Sequence, residues 1–496
     1  MNRELRPHQS RAIEMLRESL RSGKRRPLLQ APTGFGKTLL AAAVVEGALA
    51  KRKRVIFTVP ALSLVDQTVK AFWEDGIRNV GVIQGAHAMT DWSRPVQVAS
   101  VQTLQRRPIP EADVVMIDEC HRLYDFYGNW MKDSAWQNRP FIGLSATPWT
   151  RGLGQYFDDL VIAATTQDLI SEGYLSRFRV FAPSHPDLSG VRTVAGDYHE
   201  GDLSGVMNDS LLVADIVDTW LQRAENRPTF CFGVDRAHAK HLQAKFAEAG
   251  ISTGYIDAYT PISERNETQR QFHNGDIRVV CNVGCLTTGI DWDVRCIVLA
   301  RPTKSEILFV QIIGRGLRKA EGKEDCLILD HSDTHLRLGF VTDIHHEVLD
   351  DGRPRAKARA SDRIRLPKEC PQCAFLKPPR TPKCPVCGFK PEATTDIEPT
   401  DGELVEITRR DDRTYTASNE EKAAFYAQLR GYAQARGYAR ARGWAANKFR
   451  EKFHVWPNGF ENVPAMEPTP KVLSWIKSRQ IAWAKSNQRH AQQATA

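Results

Sequence analysis

The sequence predicts an α/β protein: two tandem parallel-sheet lobes, a small cysteine knuckle behind them, and a basic helical module at the C-terminus. Short apolar runs alternate with polar or helical segments over residues 27–330, the pattern of parallel sheets wrapped by helices. Four cysteines fall as two close pairs, Cys370-Pro-Gln-Cys373 and Cys384-Pro-Val-Cys387. All the excess positive charge lies beyond residue 351.

The 496 residues, 42% apolar and 26% charged, suffice for about three domains and exclude wholesale disorder. The longest aliphatic run, residues 39–45, is far short of the ~20 residues that cross a bilayer, and Met1-Asn2-Arg3-Glu4 has no apolar export core behind it. A cytoplasmic protein with no membrane partner is expected. Residues 1–351 hold 41 Lys and Arg against 44 Asp and Glu, whereas the remaining 145 hold 27 against 15. A near-neutral engine with a basic attachment suits a polyanionic partner; the bland alternative is a soluble basic tail.

Along the chain, Ile13, Leu16 and Leu20 recur at helical spacing in an opening helix over 7–20. A strand at 27–30, a glycine-rich run and an alanine-rich helix at 37–50 follow. Apolar runs at 54–60, 96–100, 113–118 and 141–145 complete a first lobe over residues 1–150. Residues 151–228 read as a connecting region that leads into the second lobe. A second cycle of runs, at 229–233, 278–283, 296–300 and 326–330, makes that lobe over 229–350. Residues 351–369 read as a basic linker, 370–392 as the knuckle, 393–419 as an acidic linker and 420–496 as the helical module. In the module, Arg430-Gly-Tyr-Ala, Arg436-Gly-Tyr-Ala and Arg442-Gly-Trp-Ala recur every six residues. Six residues turn a helix by about 240°, so the triplet makes no single face, and its glycines argue against one long helix.

Ala31-Pro-Thr33-Gly34-Phe-Gly36-Lys37-Thr38 follows a strand and opens a helix, the setting of a phosphate loop. Glycines let backbone N–H groups curl around phosphates, Lys37 offers a point charge to the β and γ oxygens, and Thr38 offers a hydroxyl to Mg²⁺. The strict pattern has Gly where this chain has Ala31. About 80 residues later an apolar run ends in Asp118-Glu119, at the strand tip where open α/β sheets bind ligands. Asp118 would hold the Mg²⁺ shell and Glu119 would polarise the attacking water, a contribution of about 10²–10⁴ in rate. An isolated Asp-Glu pair is ordinarily a solvated helix start; its place behind an apolar strand argues otherwise.

Asp118-Glu119-Cys-His121, Ser145-Ala-Thr147, Thr288-Gly289-Ile-Asp291 and Gln311-Ile-Ile-Gly314-Arg315-Gly-Leu-Arg318 occur in one order. Over about residues 5–345 that ordered set resembles the superfamily 2 helicases of the DEAH-like type. The resemblance implies two RecA-like lobes, with ATP and Mg²⁺ as cofactors. It implies that Gln9 reads the adenine edge, and that His121, Ser145 and Thr147 couple hydrolysis to lobe movement. Gly289 and Asp291 would sense nucleotide from the second lobe, Gln311 would order the attacking water, and Arg315 and Arg318 would be finger arginines. Ser63, Gln102, Thr103 and Thr288 match segments that grip a nucleic-acid backbone. As bare sequence the stretches around Ser63 and Gln102 are ordinary helix starts.

Two C-x-x-C pairs ten residues apart can set Cys370, Cys373, Cys384 and Cys387 around one Zn²⁺, with Gly388 and the two prolines suiting the tight turns. The rival readings are a disulfide pair or four incidental thiols; a zinc held there is a folding staple first and a DNA contact second. Lys448, Arg450 and Lys452 near Trp444 and Trp456 suit stacking plus phosphate attraction, or equally an aromatic core with a basic exterior. The knuckle and the residues after it resemble bacterial RadD-type repair helicase-like proteins and their phage relatives. That resemblance implies a DNA-stimulated ATPase at single-stranded or branched DNA, beside a single-strand-binding or recombination protein. The alternatives are an RNA helicase, the motor of a nuclease or defence system, and a DNA-binding scaffold with a vestigial ATPase.

Overall fold

The computed structural model describes residues 3–122, 124–287, 291–353, 366–391, 417–438, 440–460 and 462–479. The chain divides into two compact units, residues 1–393 and 394–496. No helix among the described residues is long and apolar enough to cross a membrane.

The first unit holds two parallel sheets. Strands β1 (Pro27–Gln30), β2 (Val55–Val59), β3 (Val80–Ile83), β4 (Val96–Ser100), β5 (Val114–Asp118), β6 (Phe141–Ser145) and β7 (Asp159–Ile162) form the first, in the order β3-β4-β2-β5-β6-β1-β7. Strand β8 (Arg177–Phe181) leads into the second lobe, and β9 (Thr193–Val194) and β10 (Asp197–Tyr198) form an antiparallel hairpin. With β11 (Thr229–Phe232), β12 (Thr253–Ile256), β13 (Val279–Asn282), β14 (Cys296–Leu299) and β15 (Asp325–Asp330), the second sheet runs β12-β13-β11-β14-β15-β8. Strands β1 to β4, β6, β11, β13 and β14 are buried along their whole length. Their near-continuous apolar runs follow from helices packing on both faces of a parallel sheet.

Besides the β9–β10 hairpin, two strands of the main sheets lie in the stretch that reads from sequence as a connection. β7 pairs with β1 and so belongs to the first sheet, beyond residue 150; β8 pairs with β15 and so opens the second sheet well before residue 229. Both are edge strands, half-exposed and polar at one end (Asp159, Arg177), which is why no apolar run announces them. β3 and β12 were likewise silent.

One apolar cluster runs through both lobes, from Leu29, Ala31 and Phe35 to Leu175, Phe309 and Ile313. The knuckle carries β16 (Lys368–Glu369) and β17 (Leu376–Lys377) and packs on the edge of the second sheet. There the Ala182 N–H donates to the Ala374 carbonyl at 3.0 Å and the rings of Phe181 and Phe375 meet edge to face at 5.5 Å. An exposed sheet edge is thereby covered.

The second unit contains helices Asn419–Ala435 and Ala441–Phe453, with residues 470–479 also helical. Phe425, Tyr426, Leu429, Phe449, Val472 and Ile476 form its core. The six-residue repeat is broken once, at Gly437 with φ +68°, so its units fall on different helices, as the glycine argument anticipates. Gly431 stays helical for a different reason: a Cβ there would lie 1.9 Å from the Met466 carbonyl oxygen.

Candidate nucleotide site

The first six residues named by the phosphate-loop pattern lie where β1 gives way to the helix Lys37–Leu49. Gly34 and Gly36 have φ of +85° and +86°, the left-handed region open to glycine. The loop is held from behind. The Gln9 amide nitrogen donates to the carbonyls of Phe35 (3.0 Å) and Gly36 (3.2 Å), its oxygen accepts from the Arg6 N–H, and His8 Nε2 lies 3.1 Å from the Phe35 carbonyl. Gln9 is wholly buried, with both ends of its amide spent on the protein. In these contacts it braces the loop. A Cβ on Gly36 would come within 2.3 Å of Gln9 Nε2.

Strands β5, β6 and β1 are neighbours, with Asp118 level with Leu144 and Gln30 level with Ser145. Register therefore puts Asp118, Ser145 and the phosphate loop at adjacent carboxyl ends. Lys37 Nζ bonds Glu119 and lies 3.7 Å from Asp118 Oδ1. Glu119 sits at φ +49°, a conformation costly for a residue with a Cβ. His121 Nδ1 lies 3.2 Å from Glu119 Oε2 and 2.9 Å from Ser145 Oγ, which in turn accepts from the Thr147 N–H at 3.0 Å. Thr147 Oγ1 is buried with no hydrogen-bond partner among the described residues.

The electrostatics follow from this packing. Burial disfavours the Lys37 ammonium, but Glu119 and Asp118 outweigh it and its pKa is raised. Burial raises the Asp118 pKa against the pull of Lys37, with Glu119 adding to the rise. Glu119 is held well below the usual carboxylate range, because Lys37 and His121 outweigh its burial. Lys37 thus offsets the charge of the two carboxylates. A triphosphate at the loop would compete with both carboxylates for the ammonium, and Asp118 at the strand tip and Thr38 in the first turn of the helix would be the residues to hold Mg²⁺.

The second lobe closes on this surface. The helix Glu306–Gly316, N-capped by Ser305, carries Gln311, Gly314 and Arg315, all buried. Gln311 Nε2 lies 3.2 Å from His121 Nε2, so one imidazole links a first-lobe carboxylate to a second-lobe amide. Gly314 abuts Thr33, and Leu175 abuts Gly34. Arg315 is 8% exposed. Burial first, then Arg318, push its pKa down to about 9 against the pull of Glu119 and Asp291. Arg318 forms an ion pair with Asp291. Thr288 and Gly289 lie outside the described residues. A further contact was not foreseen: the Trp149 ring packs on His346 at 5.1 Å, and His346 pairs with Glu306 at 2.8 Å, joining the segment after Thr147 to the arginine helix.

This geometry agrees with two family models. Residues 2–150 match "Type III restriction enzyme, res subunit", and residues 212–320 match "Helicase conserved C-terminal domain". The chain is a superfamily 2 helicase. It is 31% identical over 353 residues to the candidate ATP-dependent helicase IRC3 of Saccharomyces cerevisiae, covering 66% of this chain and 51% of that one. It is 25% identical over 334 residues to the ATP-dependent DNA helicase uvsW of Enterobacteria phage T4, covering 62% and 66%. The helicase therefore spans about half the length of the yeast relative. A fragment of a candidate HsdR subunit of a type I restriction enzyme from Vibrio vulnificus shares the fold, with TM-score 0.53, 21% identity and coverage of 70% and 66%.

Substituting Gly314 with Ala in this helicase would set a methyl group 2.6 Å from Thr33 Oγ1 and 2.8 Å from its Cβ. The expected result is a seam wedged open and ATP turnover lowered by about 10²-fold, read by steady-state hydrolysis beside a melting curve that stays near wild type.

The strand-gripping candidates of the first lobe fall together. Ser63 is the exposed first residue of the helix Ser63–Glu74, Gln102 Nε2 donates to the Pro60 carbonyl at 2.6 Å, and Thr103 Oγ1 accepts from Ser100 at 2.9 Å. All sit at the carboxyl ends of the paired strands β2 and β4. Lys448, in the second unit, pairs with Glu451, and Trp444 stacks on Tyr432 at 5.6 Å. Arg450 lies over the half-exposed Trp456 ring at 4.6 Å. The module thus spends Trp444 and Lys448 on its own packing and leaves the Arg450–Trp456 pair at its surface.

The four knuckle sulfurs lie within 4.8 Å of one another, Cys370 to Cys387 at 3.6 Å and Cys373 to Cys384 at 3.7 Å. Thiolates about 2.3 Å from one tetrahedral zinc stand roughly 3.8 Å apart, so the set fits that ion. Each pair lies in the same turn: the Ala374 N–H donates to the Cys370 carbonyl and the Gly388 N–H to the Cys384 carbonyl, with φ of +57° and +76°.

Proposed function

We propose that this helicase hydrolyses ATP at the seam between its lobes and uses the cycle to move along DNA, acting on single-stranded or branched DNA in repair or recombination. The observation that carries the reading is the run of close polar contacts from Lys37 through Glu119 and His121 to Gln311, which brings the phosphate loop and the second lobe together. A nucleotide that binds both lobes favours the closed cleft, and hydrolysis removes that preference. A strand lying over Ser63, Gln102 and Thr103 and over the second lobe would then feel alternating grips. The named activity of the T4 relative and the basic C-terminal module both favour DNA as the track. The match to restriction-enzyme families supports a second reading, the motor of a nuclease or defence system. In either setting Zn²⁺ at the knuckle serves as a folding staple, and the RadD-like order of knuckle and helical module suits a protein partner at single-stranded DNA.

Hydrolysis measured against single-stranded DNA, forked DNA and RNA of equal length tests the reading. DNA should stimulate more than RNA, and Lys37→Ala and Glu119→Gln should each lower turnover by about 10²–10⁴-fold. Function that survives both substitutions would make the chain a DNA-binding scaffold, and greater stimulation by RNA would make it an RNA helicase.

A further inference from the structure

We infer that Lys323 is a positioning residue for the arginine pair, a role resting on the ATPase reading above. Lys323 lies in the loop between the arginine helix and β15 and is 6% exposed. Its three ammonium protons go to three backbone carbonyls: Val294 at 2.7 Å, Gly316 at 2.6 Å and Arg318 at 2.7 Å. Burial lowers its pKa, the expected cost of a cation whose hydrogen bonds all end on neutral groups.

The identity of those carbonyls is informative. Gly316 ends the helix Glu306–Gly316, where backbone carbonyls lack intrahelical donors and the helix dipole favours a cation, and Arg318 lies in the turn just past it. The third, Val294, closes the segment that begins at Asp291, the ion-pair partner of Arg318. One side chain therefore fixes both the turn that presents Arg315 and Arg318 and the strand entry that presents Asp291. The same loop is tied a second time by Arg295, which pairs with Asp293 and donates to the carbonyls of Glu321 and Gly322. Ser176 completes the arrangement: its N–H donates to the Leu317 carbonyl and its hydroxyl to that of Arg318. Lys323 touches no phosphate-loop residue in these contacts, so its action on the nucleotide runs through the arginines.

The test is Lys323→Met, which keeps the chain length and removes the ammonium, with Lys323→Gln as a second variant that retains two donors. Amide hydrogen exchange over residues 311–318 in the full chain should quicken in Lys323→Met and to a lesser degree in Lys323→Gln, while β11 and β13 keep their protection. ATP turnover should fall by about 10²-fold with KM for ATP little changed, since the phosphate loop is untouched. In the background of Arg315→Ala, Lys323→Met should cost almost nothing more. Exchange unchanged over 311–318, or a full additional loss on top of Arg315→Ala, overturns the proposal. A wild-type chain without ATPase activity would sink the functional reading instead, and the exchange measurement would still decide the placement of the arginine turn.

Discussion

Arg315→Ala is expected to lower ATP turnover by about 10³–10⁵-fold while leaving nucleotide binding largely intact. Arg315 reaches the seam from the second lobe, is buried there, and feels the field of Glu119 from the first. Burial pushes its pKa down, to about 9, and the same burial strengthens its attraction to charge that develops on a transferring phosphoryl group. Ground-state binding rests on the phosphate loop, so the loss should appear in kcat. Arg318→Ala should cost less, because Arg318 already spends its charge on Asp291. Single-turnover hydrolysis of ATP by the two variants separates these roles. A smaller loss for Arg315→Ala than for Arg318→Ala would reverse the assignment. Lysine at 315 should not restore activity, since a point charge lacks the planar fork that binds phosphate oxygens bidentately.

Much of this site was legible in the sequence because its chemistry is local. A loop that wraps phosphate needs Gly34 and Gly36 at positive φ within a few residues of Lys37, and a metal-binding strand tip needs Asp118 directly behind an apolar run. The knuckle was legible for the same reason, its four cysteines lying two to a turn. What packing decides was silent. Nothing near Gly314 in sequence shows that it must stay small against Thr33, and Trp149 and His346 each read as an ordinary aromatic until the fold brings them together. Gln9 was found by its motif, yet its work as a brace for Phe35 and Gly36 follows from burial. Lys323 carried no signal, since a lysine in a loop is ordinarily solvated. The basic and aromatic residues around Trp444 gave two equal readings, and the stack on Tyr432 with the Lys448–Glu451 pair favours the core reading for those two residues.

Cys384→Ser should abolish zinc binding and lower the melting temperature of the first unit, and chelation under reducing conditions should do the same to the wild-type chain. Cys370 and Cys384 are 0% and 1% exposed and lie within the second lobe's own apolar cluster, beside Phe181, Val213 and Leu329. The knuckle is therefore part of that lobe's core and the cover of its β8 edge. Structural zinc contributes about 10–16 kcal/mol apparent in small metallo-domains, comparable to the ~5–15 kcal/mol that separates a folded domain from its unfolded chain. Here the loss is expected to be partial, because β8 keeps its pairing with β15, but Phe375 and Leu376 would leave the edge and expose apolar surface. The sulfur spacings of 3.6 and 3.7 Å suit thiolates around one tetrahedral zinc. Elemental analysis of protein purified without chelator should give one zinc per chain in the wild type and none in Cys384→Ser. A wild-type chain free of zinc, or one whose melting ignores chelation, would leave the four thiols without a structural role.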